Sequence, residues 1–183
     1  MLAVALIPQV AVTPSGGSTL APASGFRAEY LKTIDGIGDK VTRLAERMPA
    51  DKYTWRPGEG VRSVSEVYLH MAAVAYFYPS FVGNPAPAGL DPRTFPTSTT
   101  DKAKVVAALK DAFAHVHQAL LNIADGDESK TMKWFRGENT YRGFLLYTAE
   151  HLGEHLGQSI AYARVNGVTP PWTEEAQSQQ KKK

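Results

Sequence analysis

Long stretches of this chain carry apolar residues three or four positions apart, and this spacing restricts the fold more than any other feature of the sequence. Residues at that spacing lie on one face of an α-helix, whereas a half-buried strand needs an apolar residue at every second position. The first stretch carries an apolar stripe made of Leu31, Ile34, Ile37, Val41, Leu44 and Met48. We expect it to form a helix from about Ser24 to Met48, which Pro49 ends.

A capping box predicts the start of the second helix. In Ser63-Val64-Ser65-Glu66 the serine oxygen can accept a backbone amide hydrogen, while the glutamate three positions later reaches back to the serine amide. We expect the helix from about Val64 to Phe81. Prolines and glycines between Pro79 and Pro96 predict a long connection to the next helix.

Two further helices are predicted in the second half of the chain. Their expected bounds are Thr100 or Asp101 to Ala124 for the third and Tyr141 to Asn166 for the fourth, with Asn139 or Thr140 as the cap of the fourth. Between them, residues 132–138 are aromatic but show no period, and no strand is predicted anywhere in the sequence.

The length and the pattern together predict one all-α domain. A chain of 183 residues can bury a core without a disulfide bond or a structural metal. It contains no cysteine, which excludes disulfides, a cysteine nucleophile and thiolate-bound zinc. We expect a four-helix bundle over residues 24–172, with a long crossover between helices two and three, and a disordered polar tail at residues 173–183.

Residues 1–23 permit two interpretations. The segment begins with apolar residues, and Ala21-Pro22-Ala23 resembles the small-residue end of a secretory signal, but no Lys or Arg precedes Arg27 to form a basic region. The segment is either the remnant of a signal peptide on an exported or periplasmic protein, or a disordered tail on a cytoplasmic one.

The histidines are the candidate functional residues. His151 and His155 lie four positions apart in the predicted fourth helix, so their imidazoles stand one turn apart on the same face. His70 follows Val67 by three positions and precedes Val74 by four, which places it on the interior face of helix two. An interior histidine is more often a satisfied core residue than a ligand, but one metal site would explain all three imidazoles at once.

Three neutral imidazoles with an open coordination position are typical of a catalytic metal site rather than a closed structural one. The divalent ion is expected to be zinc first, and nickel, iron or manganese as alternatives that also accept imidazole. His115 and His117 are only two positions apart and lie on different faces of the third helix, so we interpret them as surface or rim residues.

Several motifs stand in a recognisable order along residues 25–172. They are Tyr53-x-Trp55-Arg56-Pro57, Ser63 with Leu69-His70, and His151-x-x-x-His155-x-x-Gln158 followed by Gly-x-x-Pro-Pro. This order resembles the DinB superfamily, which includes YfiT-like proteins, bacillithiol transferases and mycothiol-dependent maleylpyruvate isomerases. The resemblance implies a bundle in up-down-down-up order and a divalent metal held by His70, His151 and His155. It also implies that the metal activates a low-molecular-weight thiol, which in a chain without cysteine would have to arrive as a cosubstrate.

A competing motif overlaps the same histidines. His151-Leu152-Gly153-Glu154-His155 matches H-x-x-E-H, a zinc-peptidase pattern in which Glu154 would be the general base. That pattern needs an acidic third ligand further along the chain, and only Glu174 and Glu175 remain, both after a double proline. We therefore disfavour it and place Glu154 beside the site or on the helix surface.

Three residues are candidates for a catalytic or supporting role. Besides Glu154 they are Tyr147, one turn before His151, and Gln158, almost one turn after His155, and the latter two could instead be core residues with satisfied polar ends. Trp55, Trp134 and Trp172 are interpreted as structural anchors.

The predicted function is that of a divalent-metal-dependent transferase or hydrolase that activates a thiol or water towards a small substrate. The alternatives are a non-catalytic metal-binding or stress-related binding module on the same bundle, and a bundle whose histidines only fill space.

With 20 Lys and Arg against 18 Asp and Glu, the chain is close to neutral, which disfavours nucleic acid as a partner. No apolar run is long enough to span a membrane, and Tyr76 and Phe77 would permit a homodimer.

Overall fold

The computed structural model describes residues 24–124 and 126–182, and it is mostly helical. The helices are α1 (Gly25–Arg47), α2 (Val64–Phe77), α3 (Lys102–Leu121), α4 (Tyr141–Val165) and α5 (Pro171–Gln180), and the strands are β1 (Thr131–Trp134) and β2 (Gly137–Thr140). Helices α1 and α2 each pack against both α3 and α4. The side chains enclosed between these four helices include Ile34, Val41, Leu44, Leu69, Met71, Leu109 and Leu152, all of them fully buried.

Side-chain caps fix where three of these helices begin. The capping box at α2 is confirmed, since Ser63 Oγ accepts from the Glu66 amide at 3.3 Å and the Ser63 amide donates to Glu66 Oε2 at 2.6 Å. Asp101 accepts from the Lys104 amide at the start of α3. At the start of α4 the cap is Thr140, whose hydroxyl accepts from the Gly143 amide at 3.0 Å.

The second helix is shorter than predicted. It ends at Phe77 instead of Phe81, and the chain continues as a 3-10 turn over Tyr78–Val82. Pro79 explains the change, because a proline has no amide hydrogen for the helical ladder and its ring crowds the preceding turn. The apolar pattern runs on past this proline, and for that reason it suggested a longer helix.

A β-hairpin occupies a segment in which no strand was predicted. Strands β1 and β2 pair antiparallel, with Thr131 opposite Thr140 and Trp134 opposite Gly137, so that Phe135 and Arg136 form a two-residue loop. Gly137 has a φ of +112°, a conformation that side-chain-bearing residues rarely adopt. Strands of four residues are too short to show a clear alternation of apolar and polar residues, and this hid them from the sequence analysis.

The predicted disordered tail is also wrong in part, because α5 covers most of it. Pro171 stands in the first turn of α5, where a missing amide hydrogen costs nothing. Two carboxylates of α5 pair with α1, Glu174 with Arg47 at 3.0 Å and Glu175 with Arg43. Trp172 of α5 is partly buried and packs against the core, so an aromatic contact holds the helix together with the charged pairs.

The expected signal remnant or disordered tail at residues 1–23 lies outside the described residues. Within residues 24–124 and 126–182, no helix combines the length and the apolar character that crossing a bilayer requires.

Candidate metal centre

Three half-buried histidines converge where α2 meets α4. His70 comes from α2, and His151 and His155 come from successive turns of α4. One ring nitrogen of each lies within 4.8 Å of the corresponding nitrogens of the other two. Among the described residues, no other group of three His, Asp or Glu side chains meets in this way.

The distance between two of these nitrogens fits a shared ion. His70 Nε2 and His151 Nε2 are 3.1 Å apart. Two nitrogens bound to one tetrahedral zinc ion, each at about 2.0–2.1 Å, lie roughly 3.3 Å apart. The donor set therefore suits a divalent ion without a large movement of either ring.

A chain of hydrogen bonds fixes the tautomer of His155. The Tyr162 hydroxyl donates to the carbonyl oxygen of Arg62 at 3.1 Å, so its oxygen can only accept from Gln158 Nε2 at 2.9 Å. The other atom of this amide, Gln158 Oε1, then faces His155 Nδ1 at 2.9 Å. Because an amide oxygen can only accept, Nδ1 of His155 carries the proton and Nε2 keeps a free lone pair. Gln158, predicted as a candidate near the site, thus orients a histidine as supporting residues of metal sites do.

Two tyrosines lie against His151. The rings of Tyr78 and Tyr147 each stack on His151 with centroids 6.0 Å away, and they stack on each other at 6.1 Å. Burial raises the pKa of Tyr78, and its hydrogen bond with Tyr147 raises the pKa further. Tyr147 was a predicted candidate, whereas Tyr78 was not predicted as a site residue.

The burial of the site favours neutral imidazoles. Burial, more than any other cause, lowers the pKa of His70 to about 3, and the charges of Arg62 and of the other two histidines add to the effect. The pKa of His151 is also lowered, mainly by burial, and Glu154 opposes the shift. A neutral imidazole has the free lone pair that a metal ion needs.

Glu154 lies beside His151 and not at the centre of the site. Its Oε2 is 3.7 Å from His151 Nδ1, and 66% of its side chain is exposed. Glu174 and Glu175, the acidic groups that a peptidase site would need, pair instead with α1. Among the described residues, no acidic group joins the two histidines of the H-x-x-E-H pattern, and the side chain that meets them is that of His70.

The hairpin covers one side of the site with aromatic rings. Trp134 and Phe135 contact Tyr147 with ring centroids 5.0 and 6.1 Å away. The guanidinium carbon of Arg136 lies 4.8 Å from the centre of the same Tyr147 ring. This segment could not be connected with the histidines from the sequence, because the contact depends on a hairpin that was not predicted.

A pocket of about 400 Å³ opens at His70. Its charged lining consists of Arg56, Arg62, Arg93 and Glu66. Three of these four groups are cations, so the pocket carries a positive charge directly beside one of the three histidines. No residue of this lining was singled out as a site residue from the sequence.

The other predicted residues lie apart from the three histidines. Trp55 packs edge-on against Tyr162 at 5.3 Å, and His117 pairs with Asp35 at 2.8 Å. His115 contacts the ring of Tyr76, which is half-buried. A homodimer through Tyr76 and Phe77 stays a prediction.

The comparisons with known proteins give a family from the sequence and similar folds among solved structures. A model described as the DinB superfamily matches residues 34–159. The fold is similar to a DinB-like protein from Bacillus cereus, with a TM-score of 0.68, 15% identity, and coverage of 78% of this chain and 93% of that one. It is also similar to the DinB-like protein YjoA from Bacillus subtilis, with a TM-score of 0.62, 20% identity, and coverage of 77% and 93%.

A third solved structure carries a functional description. YfiT from Bacillus subtilis is described as a probable metal-dependent hydrolase with an unusual four-helix bundle topology, and it aligns with a TM-score of 0.62 and 16% identity over 81% of this chain and 94% of that one. Identities this low show a common fold alone. No curated protein matches the sequence. Because the family model spans well over half of the chain and includes the positions of all three histidines, the chain belongs to the DinB superfamily.

Proposed function

We propose that this protein is a divalent-metal-dependent enzyme whose ion is held by His70, His151 and His155. The observation that carries the proposal is the convergence of three ring nitrogens, two of them 3.1 Å apart, from two packed helices. The free lone pair on His155 Nε2, fixed through Gln158, supports it. The description of YfiT as a probable metal-dependent hydrolase points in the same direction.

A divalent ion held by three neutral imidazoles can acidify a coordinated water or thiol and polarise a substrate carbonyl. Zinc is the ion we expect, with nickel, iron and manganese as alternatives. Around it, Gln158 acts as a positioning residue because both ends of its amide are already hydrogen-bonded. Tyr147 and Glu154 are the candidates for moving a proton, since both lie against His151.

The reaction we propose is transfer or hydrolysis on a small substrate. A thiol nucleophile would have to come as a cosubstrate, because the chain has no cysteine. The helix order that we propose for the bundle is up-down-down-up, with residues 78–101 making the crossover between α2 and α3.

An activity screen tests this proposal. Zinc-loaded protein is incubated first with electrophiles and several low-molecular-weight thiols, and then with esters and amides. We expect turnover that a chelator abolishes and added metal restores. His151→Ala should lack this turnover, while His117→Ala, which changes a histidine paired with Asp35 on another surface, should keep it.

The same screen identifies the outcome that contradicts catalysis. Protein that binds one ion firmly but turns over none of these substrates would be a metal-binding module. Turnover that persists at the wild-type rate in His151→Ala would show that the histidine cluster is not the active centre.

A further inference from the structure

The pocket beside His70 has an excess of positive charge, and its cations differ in how they are paired. The Arg56 guanidinium donates to Glu66 Oε1 at 3.2 Å and to the Val61 carbonyl at 3.0 Å. Arg93 makes two hydrogen bonds to Asp91, at 2.9 and 3.0 Å. The charges of these two arginines are therefore already neutralised by carboxylates of the protein.

Arg62 is the cation that has no such partner. Its guanidinium makes no hydrogen bond or ion pair with any residue in the described part of the chain, although it lines the same pocket as His70. A guanidinium presents a planar set of donors that matches a carboxylate, and it stays charged at any physiological pH. An anionic group that enters this pocket can therefore pair with the guanidinium of Arg62, whose charge no carboxylate of the described residues neutralises.

The backbone of Arg62 is fixed relative to the three histidines. Its carbonyl oxygen accepts the hydrogen bond from Tyr162, the last member of the chain that begins at His155. The next residue, Ser63, is the buried cap of the helix that carries His70. Both connections hold the start of the Arg62 side chain at a set place beside the proposed ion.

We propose that this pocket receives a carboxylate of the substrate and that Arg62 pairs with it, while the reacting group of the same molecule faces the histidines. The inference rests on the proposed function and names its substrate class, a small organic acid. One free guanidinium suits the single charge of a carboxylate, whereas a phosphate dianion would need further donors and would also face Glu66 in the lining.

An NMR titration of the ¹⁵N-labelled protein tests the proposal with and without zinc. The probes are succinate, its neutral diamide succinamide, and inorganic phosphate, all at constant ionic strength. Arg62→Gln removes the free charge, and Arg93→Gln is the matched control, because it removes an equal charge from the same lining at a residue already paired with Asp91.

We expect succinate, and not succinamide, to shift the backbone amide signals of residues 60–70 in the wild type. Arg62→Gln should weaken succinate binding about tenfold, the effect of losing one charge-assisted hydrogen-bonded pair at an exposed site. Arg93→Gln should change the dissociation constant less than threefold, as an order-of-magnitude expectation for a charge that is already paired.

Three results would overturn the carboxylate assignment: succinate binding that is unchanged in Arg62→Gln, equal losses in both variants, or tighter binding of phosphate than of succinate. The zinc-free arm separates this proposal from the metal proposal. If zinc shifts the histidine signals but succinate binding does not depend on Arg62, the metal site is supported and the carboxylate assignment is contradicted. If zinc does not bind while succinate binding depends on Arg62, the carboxylate assignment is supported and the metal-dependent function is contradicted.

Discussion

At the scale of single residues, Gln158 decides which nitrogen of His155 is available. Its amide oxygen accepts from Nδ1, and its amide nitrogen is held by Tyr162, so the ring presents Nε2 towards His70 and His151. Sequence spacing placed Gln158 near the site but could not give the orientation of its amide, because that orientation depends on the hydrogen bond from Tyr162 to the Arg62 carbonyl.

Substitution of Gln158 should lower metal affinity. We expect Gln158→Leu to weaken zinc binding about 10- to 100-fold, the usual effect of removing a residue that orients a ligand. Gln158→Glu keeps an oxygen that accepts from His155 and should recover most of the loss. Competition with a chromogenic chelator measures both, with Gln118→Leu, at an exposed glutamine of α3, as the control. Equal affinities in Gln158→Leu and the wild type would contradict the role.

The pKa of His70 predicts how the metal-free protein responds to acid. Its folded pKa of about 3 lies below the ordinary value of 6.5. Below that ordinary value, the imidazole binds a proton in the unfolded chain but stays neutral in the folded protein. The free energy of unfolding therefore decreases progressively as the pH falls from neutral. Chemical unfolding of metal-free protein at pH 7 and pH 5 should show this decline.

His70→Asn removes this titrating group and should therefore make the decline smaller, although His151 still contributes. Gln118→Asn, at an exposed residue of α3 that does not titrate, should keep the wild-type decline. Parallel pH curves for the wild type and His70→Asn would contradict the interpretation.

At the scale of elements, two glycines of α1 differ in their surroundings, so that a substitution at one tests helix packing and a substitution at the other tests helix propensity. A Cβ on Gly38 would lie 2.7 Å from Cδ1 and 2.9 Å from Cγ of Phe113 on α3, whereas a Cβ on Gly36 would meet nothing within 4 Å. The close approach of α1 and α3 therefore requires the glycine at one position and not at the other.

Alanine substitution at the two glycines should have opposite effects. Gly38→Ala is expected to lower the free energy of unfolding by about 1–3 kcal/mol through overpacking against Phe113. Gly36→Ala should raise it by up to about 1 kcal/mol, because alanine is the better helix former. Urea unfolding of both variants measures the difference, and shifts of the same sign and size would show that the Phe113 contact does not restrict α1.

Sequence patterns predicted the elements that have an apolar period or a capping residue, and they missed the elements that have neither. The four long helices follow from apolar stripes and from caps such as Ser63 and Thr140, which act within one turn. The hairpin is too short for a period. Helix α5 has no apolar stripe, and a single tryptophan, Trp172, packs against the core beside the ion pairs of Glu174 and Glu175 with α1. The end of α2 was placed too late because the apolar pattern continues beyond Pro79, although the α-helix does not.

At the scale of the whole molecule, the packed helices bring together groups that are distant in sequence. His70 could be matched with His151 and His155 from the sequence, since each lies on the face of its helix that is directed towards the protein interior. Tyr78 and Arg62 could not, because one lies in a 3-10 turn and the other in a loop whose positions depend on tertiary packing. The candidate site combines aromatic rings of the hairpin, which contact Tyr147, with a basic pocket at His70.

Metal analysis of protein purified without an affinity tag tests the central claim most directly. After dialysis against zinc and removal of free ions, elemental analysis should find about one ion per chain in the wild type, as a single three-histidine site requires. His151→Ala should hold almost none, and His117→Ala should match the wild type. A wild-type protein that carries well under one ion per chain, and takes up none on dialysis, would contradict the account.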